Sequence, residues 1–584
     1  MSGVAYPVAR ERGWRLTIPW ESVVGIITVV SVVYLVGSPL FMLLFSSVRS
    51  TQDRLPFEAT AFTLDNFTGI LGSPDTYRLL GNTLTYAVGT VLVSLSLAVA
   101  FSFLIERTTI PLRSSVLAAV LAPMALPPFV AAFAWTLLAN PANGTLNLLI
   151  RGALGLSGRG PLDAYTIPAM ILITGTILVP GMYVMVSGTF ARMDPALEEA
   201  ARLSGVSWWK TLRHVTLPLL RPGIVGAAIF YFIVAMETFE LPAILGIPGN
   251  TFVLSTWIYF LIHRTGSVPD YGLASGYAVL VMIAAGALIF YYGKMVRQKE
   301  RFVTVTGRGY RTQLIDLGKW RYPVFAAVAA YFLVVIVLPL GVLIWKSVGP
   351  PYGDFSLAAL GQVNFKMYVK AIGDKFLFEA VRNTAVISVV TATATMVLAT
   401  MMAWLSVRSG FRAGSFPERV AFLAQGVPSV IAALAIMFFY VSIPLPIYAT
   451  LWIIVIALVT RFIPYGSRVM YAAYLQLHRE LEEASWTSGV AWLWTMRGVV
   501  LPLIWPSFFR GWLWAFIHAL RDATIPLMLI SAGNETVSTR LWFQWMAQGE
   551  FQYASAIAVM LMLVSAFVTY FVARQTLLER EGRD

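Results

Sequence analysis

Cysteine is absent from the 584 residues, histidine occurs four times, and Asp, Glu, Lys and Arg together make up 12% of the chain. The first absence excludes a disulfide scaffold, thiolate metal sites and cysteine catalysis. With so little histidine there is no paired His motif, no Ser/His/Asp grouping and no metal-ligand spacing, so the chain is expected to be a non-enzyme with no metal and no cofactor of its own. The phosphate-cradling pattern G-x-x-x-x-G-K-[ST] is also missing, so any ATP hydrolysis must come from another polypeptide.

What is there is apolar. Hydrophobic residues make up 58% of the chain, whereas soluble domains hold about 45–50% apolar and about 25% charged residues. Lipid is therefore the expected solvent. A hydrocarbon core needs about 20 apolar residues as helix, and twelve segments meet that length. In the first half they are Val23–Phe45, Thr83–Ile105, Ser115–Ala139, Thr166–Thr189, Gly223–Leu245 and Tyr271–Tyr292. In the second half they are Pro323–Trp345, Thr384–Val407, Val420–Ser442, Ile447–Met470, Ser507–Ile530 and Tyr553–Val572. The first is too long for a signal-peptide core and reads as an uncleaved span.

Alternate loops differ in basic residues. With the N-terminus inside, cytoplasmic segments hold 26 Lys and Arg against 12 outside, with four within spans, which predicts both termini on the cytoplasmic side. The net charge of +13 then reflects topology and contact with anionic lipid rather than nucleic acid. Its densest part is a linker from Lys294 to Arg321.

The chain repeats itself. Residues Glu198 to Pro222 lie on Glu482 to Pro506 at a constant offset of 284, with 14 of 25 positions identical. Asn82-Thr83 matches Asn383-Thr384, and Arg107 matches Arg408, both at an offset of 301. The difference falls in a loop after the third span, long around Asn140 to Tyr165 and very short around Ile443 to Pro446. Two six-span halves enter the membrane in the same sense, so the expected fold is all-α, with two homologous bundles about a pseudo-twofold axis along the membrane normal. The division runs 1–81, first span and external loop; 82–293, first transmembrane domain; 294–322, basic linker; 323–382, seventh span and external loop; 383–573, second transmembrane domain; and 574–584, tail.

Between the fourth and fifth spans of each half the repeated segment reads EEAARLSGVSWWKTLRHVTLPLLRP and EEASWTSGVAWLWTMRGVVLPLIWP. The acidic and small residues favour a short helix, Gly205 and Gly489 permit a reversal with positive φ, and Pro218 and Pro502 mark the start of the next helix. This pattern resembles the E-A-A loop of binding-protein-dependent ABC importer permeases, and through the repeated six-span pattern the resemblance covers nearly the whole chain. It implies a transport subunit in a bacterial cytoplasmic membrane, an ATPase homodimer that binds ATP and Mg on the cytoplasmic face, and a periplasmic binding protein that delivers substrate. By matching positions it implies ATPase docking through Glu199, Ala200, Ala201 and Gly205, and through Glu483, Ala484 and Gly489, with Ser485 replacing the third motif residue. Fused double permeases of this length most resemble the ferric-iron branch. The sulfate, thiamine, polyamine and aminoethylphosphonate branches share the loop, and a twelve-span ion-driven carrier shares the fused halves.

Ionisable groups at membrane depth cost roughly 2.5–3.5 kcal/mol on the insertion scale and mark functional candidates. The fifth span carries Glu237 and Glu240, and its twin carries Arg521 and Asp522. These four are the pathway or gate candidates, with Glu237 expected to pair with Arg521. Arg461 and Arg468 in the tenth span read as snorkelling or packing residues.

Overall fold

Lipid offers backbone amides and carbonyls no partner, so a chain this apolar satisfies them within helices. The computed structural model describes residues 20–50, 57–59, 61–191, 200–201, 203–263, 269–299, 314–350, 357–409, 413–424 and 427–581. Among these every regular element is a helix. Ten helices are long and apolar enough to cross a membrane: Ser22–Ser47, Pro74–Arg107, Ile167–Phe190, Leu212–Glu237, Tyr271–Leu288, Gly318–Val348, Lys375–Val407, Leu451–Gln476, Trp492–Arg521 and Phe551–Tyr570. They fall on ten of the twelve expected segments.

The remaining two, the third of each half, are broken. Arg113–Ala125 and Pro128–Ala139 meet at 95°, and in the second half Phe416–Ala424 is followed by Ser429–Ser442. Among the described residues ten of the twelve expected segments are thus single helices long enough to cross, eleven with the bent pair as one span, and the third segment of each half is built from two shorter helices. Twin prolines are the cause. Pro127 and Pro428 stand 301 residues apart, hold ψ of 135° and 143°, and cap the helices that follow. Proline gives no N–H to the preceding turn, and here it stops one helix and starts the next.

The two first spans cross over. Val24 packs into the second-half cluster of Met396 and Trp404, Tyr34 meets the Phe439 and Tyr440 rings edge-on, and Thr460 Oγ1 donates to the Leu35 carbonyl at 3.3 Å. Reciprocally, in the seventh span, Val328 packs into the first-half cluster, and the Tyr331 hydroxyl donates to the Thr176 carbonyl at 3.2 Å. Each half is clasped by the first span of the other.

The fifth span and its twin end early, at Glu237 and Arg521, short of the expected Leu245 and Ile530. Beyond each end the chain turns into a further helix, Leu254–Ile262 or Val537–Met546. The Asn-Thr pairs that match in sequence hold these turns. Thr83 Oγ1 accepts from Leu254 N at 3.0 Å and Asn82 Nδ2 donates to the Phe252 carbonyl at 3.1 Å. Thr384 Oγ1 accepts from Val537 N at 2.9 Å and Asn383 Nδ2 donates to the Glu535 carbonyl at 2.9 Å. One clamp is thus built twice.

Candidate functional site

Around and beyond their glycines the repeated loops take the same conformation in both halves. Gly205 has φ of +76° and Gly489 of +80°, and no atom lies within 4 Å of where a Cβ would stand, so backbone conformation rather than space calls for glycine. Val206 N donates to the Ala201 carbonyl at 3.1 Å and Val490 N to that of Ser485 at 3.2 Å, closing each helix on its glycine. Both segments then run through a five-residue π turn, Leu212–Thr216 and Met496–Val500. Each sits just ahead of a proline, Pro218 or Pro502, whose missing N–H breaks the regular ladder.

In the second half Glu483, Ala484 and Gly489 are exposed, and Leu493 and Trp494 beyond them are 65% and 63% exposed. In the first half Ala200 and Gly205 are exposed, Ala201 is half-buried, and Leu203 is 89% exposed. Glu199 lies outside the described residues. Ser485 hydrogen-bonds to Thr495 Oγ1 at 2.8 Å, so the departure from the motif adds a tie between the two loop helices. Both loops present apolar side chains around a positive-φ turn, the kind of surface a partner protein covers.

The intramembrane charges gather where the fifth and eleventh spans break. Glu237 and Arg521 are the last residues of twin helices, Asp522 lies in the break after Arg521, and Glu240 opens the helical turn that follows the break after Glu237. The expected Glu237–Arg521 pair is not what forms. Arg461 stands between the two halves instead, with Nη2 at 3.4 Å from Glu237 Oε1 and Nη1 at 2.9 Å from Asp522 Oδ2. Arg521 turns aside, donating to the Met124 carbonyl and lying 3.0 Å from His518 Nε2. The helix end explains the difference: from that last turn the Arg521 side chain reaches the broken third span, whose carbonyls there lack helical partners. Glu240 is buried, and its Oε1 accepts from Ala523 N at 3.1 Å and from Thr524 Oγ1 at 3.2 Å. Three acids and two guanidiniums thus tie the halves together across their seam.

Next to this seam lies an aromatic stack. Phe239 lies parallel to Trp542 at 6.3 Å, and Phe133 stacks on Trp545 at 4.3 Å. Trp545 also lines a cavity of about 740 Å³, with Asn140, Tyr165, Trp345, Lys346 and Phe551. The long Asn140 to Tyr165 segment walls this cavity on one side. Asn147 shapes that segment, donating to the Asn140 and Leu162 carbonyls at 2.8 and 2.7 Å. From the cavity to the charged break, ring contacts are continuous.

Sequence reasoning passed over Arg461, although the sequence carried a signal for it. Three acidic residues against Arg521 alone leave an unbalanced intramembrane charge, which calls for a second cation on a neighbouring span. The third-span prolines were likewise legible but hidden in an apolar run.

The protein family described as binding-protein-dependent transport system inner membrane component matches twice, at residues 98–297 and 395–580. The chain is similar to the ferric transport system permease protein FbpB of Actinobacillus pleuropneumoniae, 25% identical over 88% of this chain and 74% of that protein. It is also similar to the Fe(3+)-transport system permease protein FbpB 2 of Haemophilus influenzae, 24% identical over 89% of this chain and 95% of that one. A solved bacterial ABC transporter involved in the import of the acidic polysaccharide alginate aligns with 47% of this chain and 94% of its own, at 19% identity and a TM-score of 0.40.

Proposed function

The chain belongs to the binding-protein-dependent transport system inner membrane components, with that domain present twice, and on this premise we propose that it forms the translocation path of an ATP-driven importer for ferric iron. Substrate arrives from a periplasmic binding protein, and two ATPase subunits dock on the cytoplasmic face through the two repeated loops. ATP and Mg bind to those subunits and not to this chain. Both termini lie on the cytoplasmic side.

The observation that carries the coupling half of this reading is the duplicated loop, with a positive-φ glycine followed by an exposed valine, Val206 or Val490, at equivalent places. Two equivalent surfaces fit a symmetric partner, as a homodimer is. For the substrate, support comes from relatives named as ferric transport permeases that align with most of the chain. The aromatic stack and the Arg461 bridge form the barrier in this state.

Uptake by proteoliposomes holding the chain, its ATPase and its binding protein tests the substrate. Ferric iron accumulating inside, with labelled sulfate and aminoethylphosphonate excluded, is the expected outcome. Transport of an anion with no iron uptake overturns the ferric assignment.

A further inference from the structure

Each repeated loop opens on two glutamates, and in the second half they have opposite fates. Glu483 is exposed and pairs with Arg479 one turn earlier at 3.1 Å, with both side chains more than half exposed. Glu482 is 1% exposed and lies 2.9 Å from Arg408 Nε. That N–H is not aligned on the oxygen, so the contact is ionic before it is a hydrogen bond. Burial pushes the Glu482 carboxyl above its ordinary range, and the facing Arg408 opposes that shift.

Arg408 joins three elements. It caps the end of Lys375–Val407, and its Nη2 donates to the carbonyls of Tyr474 and Leu477 at the end of Leu451–Gln476. Its Nε meets Glu482 on the loop helix Glu480–Thr487. In the first half Arg107 stands 301 residues before Arg408, is 4% exposed, and its Nη2 donates to the Phe190 carbonyl at 3.1 Å. Phe190 stands 284 residues before Tyr474, as Glu198 stands before Glu482. The Arg107 carbonyl also accepts from Ile315 N at 2.8 Å, so the end of the linker meets the same joint.

We propose that Arg408 and Glu482 form a positioning pair that fastens the second docking loop to two spans, so that movement of the loop is delivered to the pathway; Glu198, the counterpart of Glu482 in sequence, lies outside the described residues. A loop held only by its chain ends would rock without moving the helices. A buried guanidinium fixed to two carbonyls and a carboxylate leaves the loop helix little freedom of its own. The exposed Glu483 faces the partner while the buried Glu482 faces the permease, so adjacent residues serve the two sides of one coupling device. This rests on reading the loops as ATPase docking sites.

The test uses the whole complex in proteoliposomes, with wild type, Glu482→Gln and Glu482→Asp compared for ATPase retained, ATP hydrolysed and substrate moved per ATP. Glu482→Gln is expected to retain the ATPase and to hydrolyse ATP near the wild-type rate, while substrate moved per ATP falls about tenfold, within the range by which a residue along a coupling route acts. Glu482→Asp recovers most of the loss, since the charge remains. An unchanged ratio in Glu482→Gln overturns the proposal, as does parallel loss of ATPase and transport, the pattern of a loop that has merely unfolded. A wild-type chain that retains no ATPase contradicts the docking reading itself, and the proposal with it. Should Glu482→Gln fail to accumulate, Arg408→Lys carries the same measurement from the other side of the pair: it keeps a cation beside Glu482 but loses the bonds to Tyr474 and Leu477, so substrate moved per ATP falls, and an unchanged ratio overturns the proposal.

Discussion

Glu240 and Thr524 occupy equivalent positions of the two halves, 284 residues apart, and hydrogen-bond to each other at 3.2 Å. Twofold symmetry exchanges equivalent positions, so when two of them touch, the axis passes between them. The helix breaks and their charges therefore stand on the pseudo-twofold axis, where a path between the halves must run. Glu237, Arg461 and Asp522 surround that point, which gives the bridging arginine a testable weight.

Arg461→Gln leaves Glu237 and Asp522 without their shared cation. Breaking a fully buried pair by removing one partner costs about 3–5 kcal/mol; Arg461 is a third exposed, which lowers that cost, and the thermal midpoint of the detergent-solubilised protein is expected to fall below wild type. Combining Arg461→Met with Glu237→Gln and Asp522→Asn removes every unpaired charge and recovers most of the loss. An unchanged midpoint in the single variant would mean that water balances the carboxylates instead.

Thr384→Val and Asn383→Ala remove the bonds that hold the turn after the eleventh span. A lost intramolecular hydrogen bond costs about 0.5–1.5 kcal/mol, and more where a buried group is orphaned. Thr83→Val and Asn82→Ala are expected to act to a similar extent, because the same clamp is built in the first half. Midpoints compared across the four variants check this symmetry.

Gly489→Ala places a side chain at φ of +80°, which costs about 1–2 kcal/mol for an ordinary residue. Because the space around it is open, Gly489→Asn should be milder, as asparagine tolerates that region better. The expected readout is weaker ATPase retention in the order wild type, Asn, Ala, measured by co-purification. Equal retention in all three would detach the turn from docking.

Asp374 supplies the pH prediction. Burial alone would raise its carboxyl, but the Tyr553 hydroxyl, the Leu377 and Phe376 amides and Arg540 together hold it below the ordinary range. With its folded pKa below the unfolded value of about 3.9, its stabilisation is full above that pH and is lost as pH falls through the folded value. The midpoint difference between wild type and Asp374→Asn should be present at neutral pH and close as the pH falls through the folded value. A difference that persists in acid contradicts the ionic origin.

The sequence made the duplication, the membrane-spanning helices and the glycine turns legible because each leaves a local trace: a fixed offset, a long apolar run, a residue free to adopt positive φ. The partner of Glu237 was legible as a missing cation but not as a particular residue. Equivalent alignment of Glu237 with Arg521 suggested that they face each other, yet which cation reaches a carboxylate depends on where its helix ends, and Arg521 ends its helix beside the Met124 carbonyl. The third spans failed for a related reason, since hydropathy averages over Pro127 and Pro428 while the backbone cannot. Glu482 and Glu483 are alike in sequence, and only packing against Arg408 distinguishes them.

Whether ATP drives this chain through its paired loops is decided most directly by uptake in proteoliposomes with and without the partner ATPase. The account predicts uptake that requires ATP, the binding protein and the ATPase together, and that stops when both repeated loops are disrupted. Uptake by the chain alone, powered by a proton or sodium gradient, would contradict it.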